Sequence, residues 1–104
     1  MDEIFAALAN EGRRALLDAL YSRNGQTLGE LCAVLDMSRQ AVSKHLAILE
    51  AAELVISLRE GREKFHYLNP IPIQAISERW IRKFEKRRLT ALSALKTILE
   101  EGKE

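Results

Sequence analysis

Apolar residues recur with a helical period up to about residue 52, alternate between 54 and 68, and return to a helical period from 73. Ile4, Phe5 and Leu8 predict a short amphipathic helix within residues 1–9, too small to be stable without support. Leu16, Leu17 and Leu20 form the stripe of a second helix over about 11–22. Asn10 suits its N-cap, and Gly12 weakens its first turn by up to ~1 kcal/mol relative to alanine. Gly25 suits a left-handed helix end. Thr27-Leu28-Gly29-Glu30 has the spacing of a capping box, in which each polar side chain satisfies a backbone donor at the other's position. The short helix this box opens, about 27–34, turns Leu28, Leu31, Cys32 and Leu35 inward. Leu35-Asp36-Met37 reads as a turn, with Asp36 where a left-handed residue is expected. Ser38 then caps a fourth helix whose stripe is Val42, Leu46 and Leu49.

After Ala52 the period falls to two. Leu54, Ile56 and Leu58 lie on one side of a predicted strand, and Val55, Ser57 and Arg59 on the other. Glu60-Gly61-Arg62-Glu63 supplies a turn, and residues 64–68 return as a second strand with Phe65 and Tyr67 on one face. Asn69-Pro70-Ile71-Pro72 leads into a last long helix, about 73–100. Proline is tolerated at such a start because the first N–H groups lack helical partners. Ile73, Ile76, Trp80, Ile81, Phe84, Leu92, Leu95 and Leu99 mark its stripe over about seven turns, or ~40 Å. The order of elements predicts a mainly α fold with a small β-hairpin: a single winged helix-turn-helix domain over 1–104, with the helix-turn-helix at 27–50 and the wing at 54–68. A helix this long overhangs the winged core and exposes apolar surface, which marks an interface. The simplest cover is a two-fold homodimer through residues 1–9 and 73–100, with Ile4, Phe5, Leu8, Trp80, Ile81 and Phe84 at the contact.

The polar side of the fourth helix carries the candidate chemistry. Opposite its apolar stripe stand Gln40, Lys44 and Ala47, with Ser43 beside them and Arg39 in the first turn. Amide, hydroxyl, ammonium and guanidinium groups surround a small alanine, and residues 39–47 contain no carboxylate. Such a face suits the major groove of DNA, where base edges present donors and acceptors. Gln40, Ser43 and Arg39 are the candidates for base edges. Lys44, Arg59, Arg62 and Lys64 are the candidates for phosphates, with Arg62 at the hairpin tip suited to the minor groove.

Composition narrows this picture without driving it. The 104 residues are 47% hydrophobic and 30% charged with a formal net charge of +1, so whole-chain electrostatics do not announce a nucleic-acid partner. The start Met1-Asp2-Glu3 predicts no secretory signal, and no apolar run approaches the ~20 residues of a membrane span. The single cysteine, Cys32, excludes an intramolecular disulfide and a multi-cysteine metal site, and points to a reducing cytoplasm. At its position a small apolar residue packing under the fourth helix is the plainer role, with redox sensing the sharper one. His45 points about 60° from the core stripe and is expected to support that helix from its edge, with one ring nitrogen hydrogen-bonded. His66 is expected to be an exposed polar residue of the wing. Ser43 and His45, two apart on a helix, do not face each other, and no catalytic constellation emerges. The basic block of residues 82–88 is weighed as a solvated face, with Glu78 and Arg82 in a favourable i,i+4 order, against a contact to flanking DNA.

Several stretches match a known pattern. Leu8-Ala9-Asn10-Glu11-Gly12-Arg13-Arg14, Leu28-Gly29-Glu30-Leu31, residues 38–46 with Leu49-Glu50, and Arg59-Glu60-Gly61-Arg62 followed by Tyr67-Leu68 resemble the ArsR-type winged-helix repressors. The resemblance covers nearly the whole chain and is most specific over 38–68. It implies a homodimer built by the first and last helices, binding a short inverted repeat in double-stranded promoter DNA. Metal-sensing members carry Cys-x-Cys before the turn, where this chain has Cys32 and Val34; others place histidine and carboxylates on the last helix, where 73–100 has no histidine or aspartate. No metal site and no cofactor are therefore expected, and no effector is specified. The family's frequent Asp-Pro-Thr is replaced here by Asn10-Glu11-Gly12. The rival expectation is a winged helix used to dock proteins without binding DNA, which the basic wing and carboxylate-free helix face argue against.

Overall fold

The computed structural model describes residues 1–82 and 90–102. Along the chain come α1 (Asp2–Leu8), α2 (Glu11–Ser22), α3 (Leu28–Val34), α4 (Arg39–Ala51), β1 (Val55–Glu60) and β2 (Glu63–Leu68). After these stand α5 (Ile71–Ile76), a π-helical segment (Ser77–Arg82) and α6 (Thr90–Glu101). The chain divides into two units, residues 1–72 and 73–104.

Local capping sets the helix starts of the first unit. Asn10 Oδ1 accepts from Arg13 N at 3.1 Å, so Asn10-Glu11-Gly12 caps α2 without the family's usual residues. Thr27 and Glu30 form the complete capping box of α3, and Ser38 Oγ accepts from Ala41 N at 3.1 Å to open α4. Each such cap stabilises a helix by ~1 kcal/mol. Two arginines of α2 close α1 from outside. Arg13 donates to the carbonyls of Ala7 (2.7 Å) and Ala6 (3.1 Å), and Arg14 to that of Leu8 (2.7 Å). A helix end leaves such carbonyls short of internal partners, and here only that of Ala6 has a local bond as well, from Ala9 N at 3.3 Å.

The core gathers the predicted stripes. Leu16, Leu20, Leu31, Val42, Leu49 and Leu54 are fully buried, with Leu17, Leu46, Ala52 and Val55 nearly so. Each such aliphatic side chain contributes ~1.5–3 kcal/mol on leaving water. Cys32, Leu28 and Leu35 pack against this cluster as partly buried residues.

Backbone geometry differs from expectation at two points. Asp36 is not left-handed; among the described residues the one non-glycine with positive φ is Glu53, at 62°. α3 instead ends through an extended Leu35 (φ −113°, ψ 141°), so its turn needs no left-handed residue. Glu53 sits where α4 stops: Leu54 N donates to Leu49 O (2.9 Å) and Glu53 N to Glu50 O (3.0 Å), the paired bonds of a Schellman end. Gly25 is left-handed (φ 78°), but it lies two residues beyond the C-cap Arg23 rather than at the helix end. There the Tyr67 ring covers it, and a Cβ would stand 2.9 Å from Tyr67 Cε1.

The hairpin settles which of its two predicted sides faces inward. Its antiparallel register pairs Ile56 with Tyr67, Ser57 with His66, Leu58 with Phe65 and Arg59 with Lys64. Leu54 is buried ahead of the strand, yet Ile56 and Leu58 are about half exposed. The Glu53 turn buries Leu54 and Val55 in succession, so the strand's inward side is Val55 and Ser57. The outward apolar residues cover one another as cross-strand pairs, each worth ~0.2–1 kcal/mol.

The helical backbone after the hairpin starts at Ile71, in the last two residues of the first unit and two residues before the predicted 73, with Asn69 Oδ1 accepting from Ile71 N at 3.3 Å. Pro72 occupies the first turn, where its missing N–H costs nothing. Arg82 pairs with Glu78 at 2.7 Å, in the order expected. Trp80, Ile81, Leu92, Leu95 and Leu99 are about half exposed. The predicted contact residue Phe84, and the basic residues from 83 to 88, lie outside the described residues.

Candidate nucleic-acid interface

Ser38 and the buried stripe of Val42, Leu46 and Leu49 fix how α4 is rotated. That rotation leaves Arg39, Gln40, Ser43, Lys44 and Ala47 exposed on the other side. The hairpin loop has two residues, Gly61 and Arg62, between the pair Glu60 and Glu63. Gly61 alone of the two has a positive φ (65°), as a type II′ turn requires. This tight turn holds Arg62 at the tip, with Arg59 and Lys64 opposite each other beneath it.

Helix and wing together form one groove of about 560 Å³. Arg39, Ser43 and Ala47 of α4 line one side, and Arg59, Arg62 and Lys64 line the other. Five predicted residues, Arg39, Ser43, Arg59, Arg62 and Lys64, therefore share one concave surface. Gln40 and Lys44 are exposed on the same helix but do not line this groove. Its lining also holds residues that sequence reasoning missed. Glu50 and Glu63 put carboxylates among the basic groups, and His66 lies beside them.

His66 is buried at 5% exposure, not an exposed wing residue. Its N–H donates to the Gln26 carbonyl at 2.8 Å, and its ring Nδ1 lies 2.9 Å from the same oxygen. Gln26, equally buried, donates through Nε2 to the carbonyls of Ala19 (3.0 Å) and Arg23 (2.7 Å). The pair forms an isolated bridge that stitches the wing to the segment before α3. No local periodicity announces it, because the two residues are 40 positions apart.

His45 supports α4 from behind, as expected, but differently in detail. It packs over Gly12, where a Cβ would stand 3.0 Å from its Nε2, and its Nδ1 is buried without a hydrogen-bond partner. Of the predicted contact residues on α1, Ile4 and Leu8 are partly buried against the chain's own core, whereas Phe5 is 44% exposed.

A capped helix with a polar outer face, a two-residue turn holding an arginine and a basic groove between them define a winged helix-turn-helix DNA-binding protein. Comparison with known proteins gives the family. Residues 8–57 match the model described as a helix-turn-helix domain. The chain is 41% identical over 86 residues to the uncharacterised HTH-type transcriptional regulator YuzN of Bacillus subtilis, spanning 77% of this chain and 94% of that protein. It is 32% identical over 82 residues to the arsenical resistance operon repressor of Escherichia coli, spanning 75% and 70% respectively. A solved ArsR-like transcriptional regulator from Rhodococcus superposes with a TM-score of 0.72 at 33% identity, covering 96% of this chain and 90% of that one. The chain belongs to the ArsR-type winged helix-turn-helix transcriptional regulators and is a DNA-binding regulator of transcription, a family of regulators rather than enzymes.

Proposed function

We propose that the chain acts as a homodimeric repressor in the cytoplasm, binding an inverted repeat in a promoter, its own among the candidates. The observation that carries this reading is the groove in which α4 and the wing place Arg39, Ser43, Arg59, Arg62 and Lys64 around one surface. Gln40, Ser43 and Arg39 contact base edges; glutamine suits adenine and arginine suits guanine where both bonds form. Lys44, Arg59 and Lys64 neutralise phosphates, and Arg62 enters the minor groove. Two recognition helices related by a dimer axis meet half-sites about one helical turn, ~34 Å, apart. The repressor role follows SdpR of Bacillus subtilis, a transcriptional repressor 31% identical over 74 residues, and the arsenical resistance operon repressor. Among the described residues no helix is long and apolar enough to cross a membrane, compatible with this placement.

The test is a mobility shift with DNA upstream of the chain's own gene, repeated over a salt series. A sequence-specific shift whose affinity falls steeply with salt is expected. Gln40→Ala should cost ~1–3 kcal/mol on the specific site and far less on scrambled DNA, whereas Lys64→Ala should weaken both alike. Equal losses for Gln40→Ala on both duplexes would remove Gln40 from base reading. No specific shift there or with genome-selected fragments would favour a protein-docking role.

A further inference from the structure

The lining of the basic groove contains a carboxylate that the DNA-binding reading does not use. Glu50, in the last turns of α4, has a 28% exposed side chain, yet its Oε1 is buried and accepts no hydrogen bond. Two groups of the wing approach that one oxygen: Lys64 Nζ at 3.7 Å and His66 Nε2 at 3.9 Å. The Gln26 carbonyl can only accept, so His66 Nδ1 carries the proton that bonds it. Nε2 of the same ring faces the Glu50 carboxylate oxygen. Among the lysines and arginines of the wing, Lys64 is the one that comes within ion-pair distance of that oxygen. The lysine is held loosely, with its side chain 46% exposed on the groove wall.

Resting on the reading of this groove as the DNA interface, we infer that Glu50 is a specificity-determining residue that restrains Lys64 within the groove. A free lysine beside a phosphate strengthens binding to every sequence, because each phosphate neutralised adds the same counterion-release gain. A lysine shared with a carboxylate gives only part of that gain. Glu50 therefore lowers affinity for arbitrary DNA and leaves discrimination to the base-reading edge of α4. Among the described residues Arg59, across the register from Lys64, and Arg62 at the tip form no ion pair, so the restraint is specific to one wing cation.

The experiment measures affinity for two duplexes over a salt series, one selected by the wild-type protein and one of scrambled sequence. Glu50→Gln keeps the shape of the side chain and removes its charge. It should bind scrambled DNA about three- to tenfold more tightly, with a salt slope steeper by about 0.9, one further phosphate. The ratio of selected to scrambled affinity should narrow. Glu50→Ala should do the same, and neither gain should survive in a Lys64→Ala background. Weaker or unchanged scrambled binding in both Glu50 variants would overturn the inference, as would a gain that persists without Lys64. Loss of the wild-type circular dichroism in both would overturn it too, making Glu50 a residue of the fold. An independent arm leaves Glu50 in place: Lys64→Ala should lose about half as much scrambled-DNA affinity as Arg59→Ala, and equal losses would count against the restraint. Gln40→Ala and Arg59→Ala without effect on either duplex would instead remove the interface reading, a result separable from any outcome at Glu50.

Discussion

Glu53 pays a conformational penalty that its neighbours impose. With φ at 62° it holds the left-handed position of the α4 Schellman end, where a side chain costs roughly 1–2 kcal/mol that glycine avoids. Its side chain is exposed, and its carbonyl accepts from Asn69 Nδ2 at 2.8 Å, a bond that any residue would keep. Glu53→Gly should therefore stabilise the protein by ~0.5–1 kcal/mol, the glycine's greater freedom when unfolded offsetting part of the relief. Thermal unfolding should show a midpoint a few degrees higher; a lower midpoint would mean the glutamate makes a contact worth more than the strain. Gly12 is the opposite case. Alanine improves helix propensity by up to ~1 kcal/mol, but its Cβ would stand 3.0 Å from His45 Nε2, 3.1 Å from Asn10 Oδ1 and 3.3 Å from Met37 Sδ. Met37 can yield, whereas Asn10 cannot move without loosening the cap on Arg13 N, worth ~1 kcal/mol, and the half-buried His45 ring of α4 already packs on Gly12. Gly12→Ala is expected to lower stability by about 1 kcal/mol, and a raised unfolding midpoint would show that the ring retreats freely.

At the scale of elements, α1 is the one whose existence depends most on another. Seven residues do not make a stable helix alone, and the carbonyls of Ala6, Ala7 and Leu8 at its end accept from Arg13 and Arg14 of α2. Replacing Arg13 with alanine removes two charged hydrogen bonds and should cost ~1–3 kcal/mol. Native-state hydrogen exchange should show the amides of α1 losing protection while those of α4 keep theirs; uniform loss would mean α1 is not a separable unit. The same contrast explains what could be read from the sequence. The starts of α2, α3 and α4 were legible because Asn10, Thr27 with Glu30, and Ser38 act within three residues. The apolar stripe and polar face of α4 were legible because 3.6 residues per turn sorts them unaided. Not legible were contacts made at a distance: the arginine closure of α1, the Gln26–His66 bridge and the Glu50 carboxylate in the groove lining. Which side of the hairpin looks outward was not legible either, because alternation fixes which residues share a face, not which face looks inward. That choice was made by the turn at Glu53, and a glutamate is a poor local signal for a left-handed residue.

At the scale of the whole molecule, the proposed homodimer turns on the apolar residues of the second unit. Leu92, Leu95, Ile98 and Leu99 of α6 are each at least half exposed, on one 12-residue helix. Leu92, Leu95 and Leu99 recur at i, i+3 and i+7, so one stripe carries them. An exposed stripe of this kind is costly in water and marks a surface that another chain covers. A charge placed in its centre should prevent that cover without touching the groove between α4 and the wing. Leu95→Glu is accordingly expected to sediment as a monomer while keeping the circular dichroism and the scrambled-DNA salt slope per chain of the parent. Its affinity for an inverted repeat should fall by about 10²–10⁴-fold, because the second half-site no longer binds as part of the same particle. Affinity for a single half-site should remain close to that of one parental subunit. A variant that still sediments as a dimer would place the dimer contact elsewhere than α6. A monomer that still holds the inverted repeat at parental affinity would mean that each winged unit reads its half-site alone, with symmetry belonging to the DNA and not to the protein.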